Sequence, residues 1–144
     1  MDLRVRKVLV KDSAAILIDL YKNIFIESYH TKIDDEDSLR KSYDHCSAYI
    51  AYDDEKPIGF LIIEDKARFN QLWEFGLLPE YQHKGAGKQL LQVFLSDSNK
   101  EIRLITNPRN SPAVIFYLRN GFEIYEWKEK LFNNQDWMVL RKNR

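Results

Sequence analysis

The sequence predicts a mixed α/β domain with strands outnumbering helices, in the order βααβββαβαββ. Three observations carry this. Short Val-, Ile- and aromatic-rich runs at 3–10, 47–53, 57–64, 70–78, 101–106, 122–128 and 136–141 read as strands. Apolar residues recur at helical spacing near 14–29 and 86–97. Some connections between strands are short enough only for hairpins, whereas others contain a helix. The sheet is therefore mostly antiparallel with a parallel part, an α+β mixture.

The first run, LRVRKVLV, alternates and is rich in Val. Asp12 or Ser13 can cap the helix that follows, in which Ile16, Leu20 and Ile24 recur every four residues beside Leu17, Tyr21 and Phe25, as far as about Tyr29. DDEDSLRKSYDH, residues 34–45, reads as a short polar helix with acids at its start, where the helix dipole favours them. SAYIAYD and PIGFLIIE form a hairpin around Asp53 to Lys56. NQLWEFGLL is the fourth strand. Gly76 inside it signals a bulge or a close backbone approach, and Pro79 ends it.

A helix follows from about 86 to 97, then the strand EIRLIT. Ser111-Pro112 opens the next helix, with Pro at the first helical position, where its missing N–H costs nothing, and Asn120-Gly121 closes that helix. The last two strands pair around Asn133-Asn134.

Composition narrows the class. At 144 residues and 44% hydrophobic, the chain reads as one domain over 1–144 with a core of its own. The single Cys46 cannot form an internal bridge, which fits a reducing compartment. Twenty-two basic and twenty-two acidic residues cancel, against non-specific nucleic-acid binding. No apolar run is long enough to span a bilayer, and the charges scattered through MDLRVRKVLVKD exclude a secretion signal. The expectation is a cytoplasmic protein, monomer or homodimer, with Trp127 and Trp137 on the late strands as a possible subunit contact.

The chemistry concentrates in EYQHKGAGKQLL, residues 80–91. Gly85 and Gly87 stand at the mouth of a helix, flanked by Lys84 and Lys88. Helix N-termini leave N–H groups unpaired and carry partial positive charge, so the pattern suits an anion such as phosphate. A nucleoside-triphosphate loop requires Ser or Thr after the lysine, but Gln89 follows Lys88. A dinucleotide loop requires a third glycine where Leu90 stands. A turn without any ligand remains the plain alternative.

The segment LLPEYQHKGAGKQLL resembles motif A of the GNAT N-acetyltransferase superfamily, with Leu77, Pro79, Tyr81, Gln82, Gly85 and Gly87 at the motif positions. NSPAVIFYLRNGF is similar to the family's next motif, with Asn110, Ala113, Tyr117 and Gly121-Phe122 matched. The resemblance implies a GNAT-like acyltransferase fold, its sheet splayed between the fourth and fifth strands. Gly76 fits such a splay.

It also implies acetyl-CoA as co-substrate, with no metal and an amine acceptor on a small molecule or peptide. The pyrophosphate would rest on the backbone from Gln82 through His83, Lys84, Gly85, Ala86 and Gly87 to Lys88. The pantetheine arm would pair with the strand at Leu77 and Leu78, as an added strand does. Asn110 would touch the coenzyme, capping of its helix being the equal alternative.

Tyr117 matches the tyrosine that lies near the coenzyme sulfur in the family, and is the candidate general acid; packing in the core is its alternative role. Many relatives place a Glu where this chain has Gln71, which cannot accept a proton usefully. Glu74 is the candidate base, since burial in an apolar strand would raise its pKa; pointing to solvent or pairing with a cation is the alternative. His83 is a titratable alternative within the phosphate loop. Glu27, Tyr29 and His30 are candidates for acceptor contact. The substitution at Gln71 keeps a second function open, a catalytically weak acetyl-CoA sensor or interaction module.

Overall fold

Residues 2–25, 33–132 and 134–143 are described by the computed structural model. The elements follow the predicted order: β1 (Arg4–Leu9), α1 (Ala14–Ile24), α2 (Glu36–Tyr43), β2 (Ser47–Asp53), β3 (Lys56–Asp65), β4 (Phe69–Leu77), α3 (Ala86–Asp97), β5 (Glu101–Thr106), α4 (Ser111–Arg119), β6 (Glu123–Phe132) and β7 (Gln135–Lys142). Short 3-10 turns at Val10–Asp12 and Pro79–Tyr81 precede α1 and α3.

The seven strands are ordered β1-β2-β3-β4-β5-β7-β6. β4 and β5 run parallel, while β1–β2, β2–β3, β5–β7 and β6–β7 run antiparallel. The parallel register covers Phe69↔Glu101 to Leu72↔Leu104, although β4 continues to Leu77 and β5 to Thr106. The sheet is thus splayed between its fourth and fifth strands, as the resemblance implied.

The chain forms two compact units. One holds the described residues within Met1–Glu64 together with Glu74–Asp97. Its core is built from Leu17 of α1, Leu39 of α2, Ile50 and Phe60 of the β2–β3 hairpin, and Leu90 and Phe94 of α3, each at most 1% exposed. Full burial of such a side chain contributes roughly 1.5–3 kcal/mol. The other unit comprises Asp65–Trp73 and Ser98–Arg144, with Ile102, Leu104, Phe122 and Leu140 buried.

Two details of α1 depart from the sequence reading. Its buried stripe is Ala14, Leu17, Ile18, Leu20 and Tyr21, while Ile16 is exposed. The helix also ends at Ile24 instead of near Tyr29. Phe25 leaves helical geometry at φ −101, ψ 62, and its ring packs on Tyr21 and edge-on to Phe60.

α2 is shorter than predicted because Asp35 caps it in a capping box with Ser38. The final hairpin is longer than predicted. β6 runs on to Phe132, which pairs with Gln135, and its register with β7 shifts twice.

Candidate functional site

The glycine loop lies in the first unit and is assembled locally. Leu78 leaves β4 with its N–H donated to the Ile58 carbonyl of β3 at 2.8 Å. Pro79 starts a 3-10 turn, and the Tyr81 hydroxyl donates to Asp53 Oδ2 at the end of β2 at 2.6 Å. That hydrogen bond raises the Tyr81 pKa, so the phenol keeps its proton and its anchor.

Gln82 then turns its side-chain amide back onto the Leu77 carbonyl at 3.2 Å. His83 and Gly85 both take positive φ, 60° and 83°. The Gly85 carbonyl accepts from Gln89 N at 3.1 Å, which opens α3. Left-handed residues interspersed in a turn aim successive N–H groups into a concave nest, and the first turn of α3 adds unpaired donors. Gln82, His83, Lys84, Gly85 and Lys88 are exposed, while Ala86 is buried and anchors the helix start. A Cβ on Gly85 would meet nothing within 4 Å, so the protein needs glycine there for its backbone angle. The arrangement suits an oxyanion group such as a diphosphate.

Because successive residues of a strand alternate in direction, Leu77 presents its backbone groups along the β4 edge opposite to that used by Leu78. Leu78 N–H is committed to β3, and the Leu77 carbonyl accepts from the Gln82 side chain. Gly76 is explained by a close approach: a Cβ there would lie 2.6 Å from Ile24 Cγ2 and 3.0 Å from Phe25 Cζ. Gly59 plays the matching part on β3, where a Cβ would lie 2.9 Å from the Gly76 carbonyl oxygen. The end of β4 therefore sits between β3 and the end of α1 with no room for side chains at these two positions.

Glu74 is 5% exposed, so it does not point to solvent. Its Oε2 accepts a 2.7 Å hydrogen bond from the Tyr43 hydroxyl of α2. Burial, then the charge of Glu74, push the Tyr43 pKa far above that of an ordinary phenol. Tyr43 therefore keeps its proton and donates it in a hydrogen bond to the carboxylate. Sequence reasoning missed Tyr43. The signal was there: Leu39 and Tyr43, four apart, are the buried residues of an otherwise polar helix.

The second unit carries the other motif. Tyr117 is half-buried on α4, its ring edge-on to Phe116 and to Phe122, each at 5.5 Å. Asn110 Oδ1 accepts from Ala113 N at 3.4 Å, so the capping role is present. Gln71 is 6% exposed, and among the described residues its Nε2 is buried without a hydrogen-bond partner. Glu27, Tyr29 and His30 lie outside the described residues.

Comparison with known proteins bears on this geometry. The family profile described as "Acetyltransferase (GNAT) domain" matches residues 44–124, more than half of the chain. A spermidine N(1)-acetyltransferase of Thermoplasma acidophilum is 35% identical over 78 residues, covering 51% of this chain and 48% of that protein, so the match spans about half the length of the curated relative. The fold is shared with the ribosomal-protein-S18-alanine N-acetyltransferase of Escherichia coli, at a TM-score of 0.82, 14% identity, and 99% and 94% coverage of the two chains. It is shared also with the PaiA N-acetyltransferase of Thermoplasma acidophilum solved with coenzyme A, at a TM-score of 0.73, 22% identity and full coverage of both chains. Both motifs, the strand order with its splay between β4 and β5, and the domain match agree, and this chain belongs to the GNAT family of acetyltransferases.

Proposed function

We propose that the chain transfers the acetyl group of acetyl-CoA to a primary amine of a small molecule or peptide, by direct attack of the amine on the thioester. The observation that carries this reading is the turn from Gln82 to Lys88, exposed from Gln82 to Gly85, with His83 and Gly85 in positive φ at the opening of α3. Acetyl-CoA supplies an acyl group already activated for transfer. The chain's own tasks are to bind the diphosphate on that turn, to orient the carrier arm along Leu77, and to move two protons.

An alkylamine has a pKa of about 10.4, so at neutral pH it must lose a proton before attack. Glu74 is the proposed acceptor, directly or through water. Tyr43 keeps its own proton and donates to the carboxylate, which favours the charged form. Tyr117 is the proposed donor to the departing thiolate, and that assignment rests on its motif position. Asn110 keeps an amide N–H for the coenzyme while its oxygen caps α4.

The name of the Thermoplasma relative makes polyamines the first acceptors to try. The acids at the start of α2 are partly engaged within the helix: Asp35 caps it, and Asp37 lies 3.8 Å from Arg40.

A second reading is an acetyl-CoA sensor with little turnover. The buried Gln71 favours it, since an amide stands where many relatives have a carboxylate. The test is release of free CoA from acetyl-CoA against spermidine, small primary amines and peptide N-termini. Turnover is expected on at least one, with Tyr117→Phe lowering kcat by about 100-fold, the low end for a general acid, and leaving coenzyme affinity within a factor of two. Coenzyme binding without turnover on any amine would leave the sensor reading standing.

A further inference from the structure

We propose that His45, Cys46 and Glu64 form a binding site for a divalent cation of zinc type, in the first unit, where α2 leads into β2. One ring nitrogen of His45, Cys46 Sγ and a carboxylate oxygen of Glu64 lie within 4.8 Å of one another.

The hairpin creates this meeting. Ser47 pairs with Ile63, so Cys46 and Glu64 stand side by side just beyond the last rung of β2–β3. The backbone of Cys46 is fixed on both sides, its N–H donating to the Tyr43 carbonyl and its carbonyl accepting from Val10 N. Two of the three donors are thereby held by rigid main chain, as a binding site requires.

The donor set is selective. Thiolate, imidazole and carboxylate together suit zinc, which takes sulfur, nitrogen and oxygen in tetrahedral array. His45 Nε2 lies 3.4 Å from Glu64 Oε2. Two such ligands on one tetrahedral zinc, at bond lengths near 2.0–2.1 Å, stand about 3.3 Å apart. On the far side of the ring, Nδ1 is in hydrogen-bond contact with Asp44 Oδ1. A carboxylate on the non-ligating nitrogen is what fixes the tautomer and orientation of a metal-binding histidine.

Burial is graded to match. Cys46 is 2% exposed, the Glu64 side chain 23% and the His45 side chain 68%, so the cation enters from the His45 side and a water completes its coordination. Binding displaces the thiol proton of Cys46 to solvent, along with any proton on His45 Nε2. Occupancy would also tie down the end of α2, two residues after the Tyr43 that reaches Glu74.

The test uses the full chain stripped with chelator and titrated with Co²⁺ and Zn²⁺. Co²⁺ is expected to bind at one equivalent with sulfur-to-cobalt charge-transfer absorption, and Zn²⁺ to displace it. Cys46→Ser should abolish the absorption. His45→Ala, at an exposed position that leaves packing intact, should weaken Zn²⁺ binding at least tenfold, and Asp44→Asn by about 10–100-fold. Absence of the absorption in the unmodified chain, or Zn²⁺ affinity unchanged in His45→Ala, overturns the proposal and leaves an ordinary surface His45–Glu64 ion pair.

Discussion

Tyr43 and Glu74 show what one hydrogen bond can set. A buried carboxylate without a donor would be costly, and the phenol supplies that donor at 2.7 Å. Tyr43→Phe leaves ring packing almost unchanged and removes the bond. If Glu74 is the base, losing a donor to its charged form raises its pKa, so the acid limb of the kcat–pH profile should move to higher pH. An acid limb that stays in place removes Glu74 from that role.

Stability carries a second signature of the same residue. The folded pKa of Tyr43 lies above the unfolded value of 10.0, so above pH 10 the unfolded chain releases a proton that the folded chain retains. Stability is then full below pH 10 and falls as pH rises. Tyr43→Phe should remove about 1 kcal/mol of the stability lost between pH 10 and 11, measured by urea unfolding at the two pH values.

At the scale of elements, β3 and the turn before α3 rely on glycine for two different reasons, and substitution should separate them. Gly59→Ala sets a methyl 2.9 Å from the backbone oxygen of Gly76, which cannot rotate away, so a loss of about 1–3 kcal/mol in stability is expected. Gly85→Val has open space around it and is strained through its φ of 83°, at roughly 1–2 kcal/mol. The valine also covers the turn, so acetyl-CoA affinity should drop at least tenfold; undiminished affinity would remove the turn from coenzyme binding. Denaturant midpoints and calorimetric titration together make the distinction. In α4, Asn110→Ala should lower stability by about 0.5–1 kcal/mol through the lost cap. A rise in KM for acetyl-CoA beyond that would assign the Asn110 amide to the coenzyme.

For the molecule as a whole, a ligand that binds the folded chain and not the unfolded one must raise its melting temperature. Acetyl-CoA at 100 times its dissociation constant should add about 2.7 kcal/mol, and at the same concentration Gly85→Val should keep no more than about 1.4 kcal/mol of it. This measurement needs no knowledge of the acceptor.

Much of this molecule could be read without coordinates, because its signals are local. The element order, the Pro112 and Gly121 punctuation of α4 and the glycine loop before α3 depend on residues a few places apart, whose backbone preferences act whatever surrounds them. What only the tertiary structure decided were meetings between distant side chains. Tyr43 faces Glu74 across 31 residues, Cys46 meets Glu64 because a hairpin register puts them abreast, and α1 stops early so that Phe25 can fill the space left by Gly76. No periodicity encodes such contacts, since burial and partner choice are set by how elements pack, and packing is a property of the whole chain.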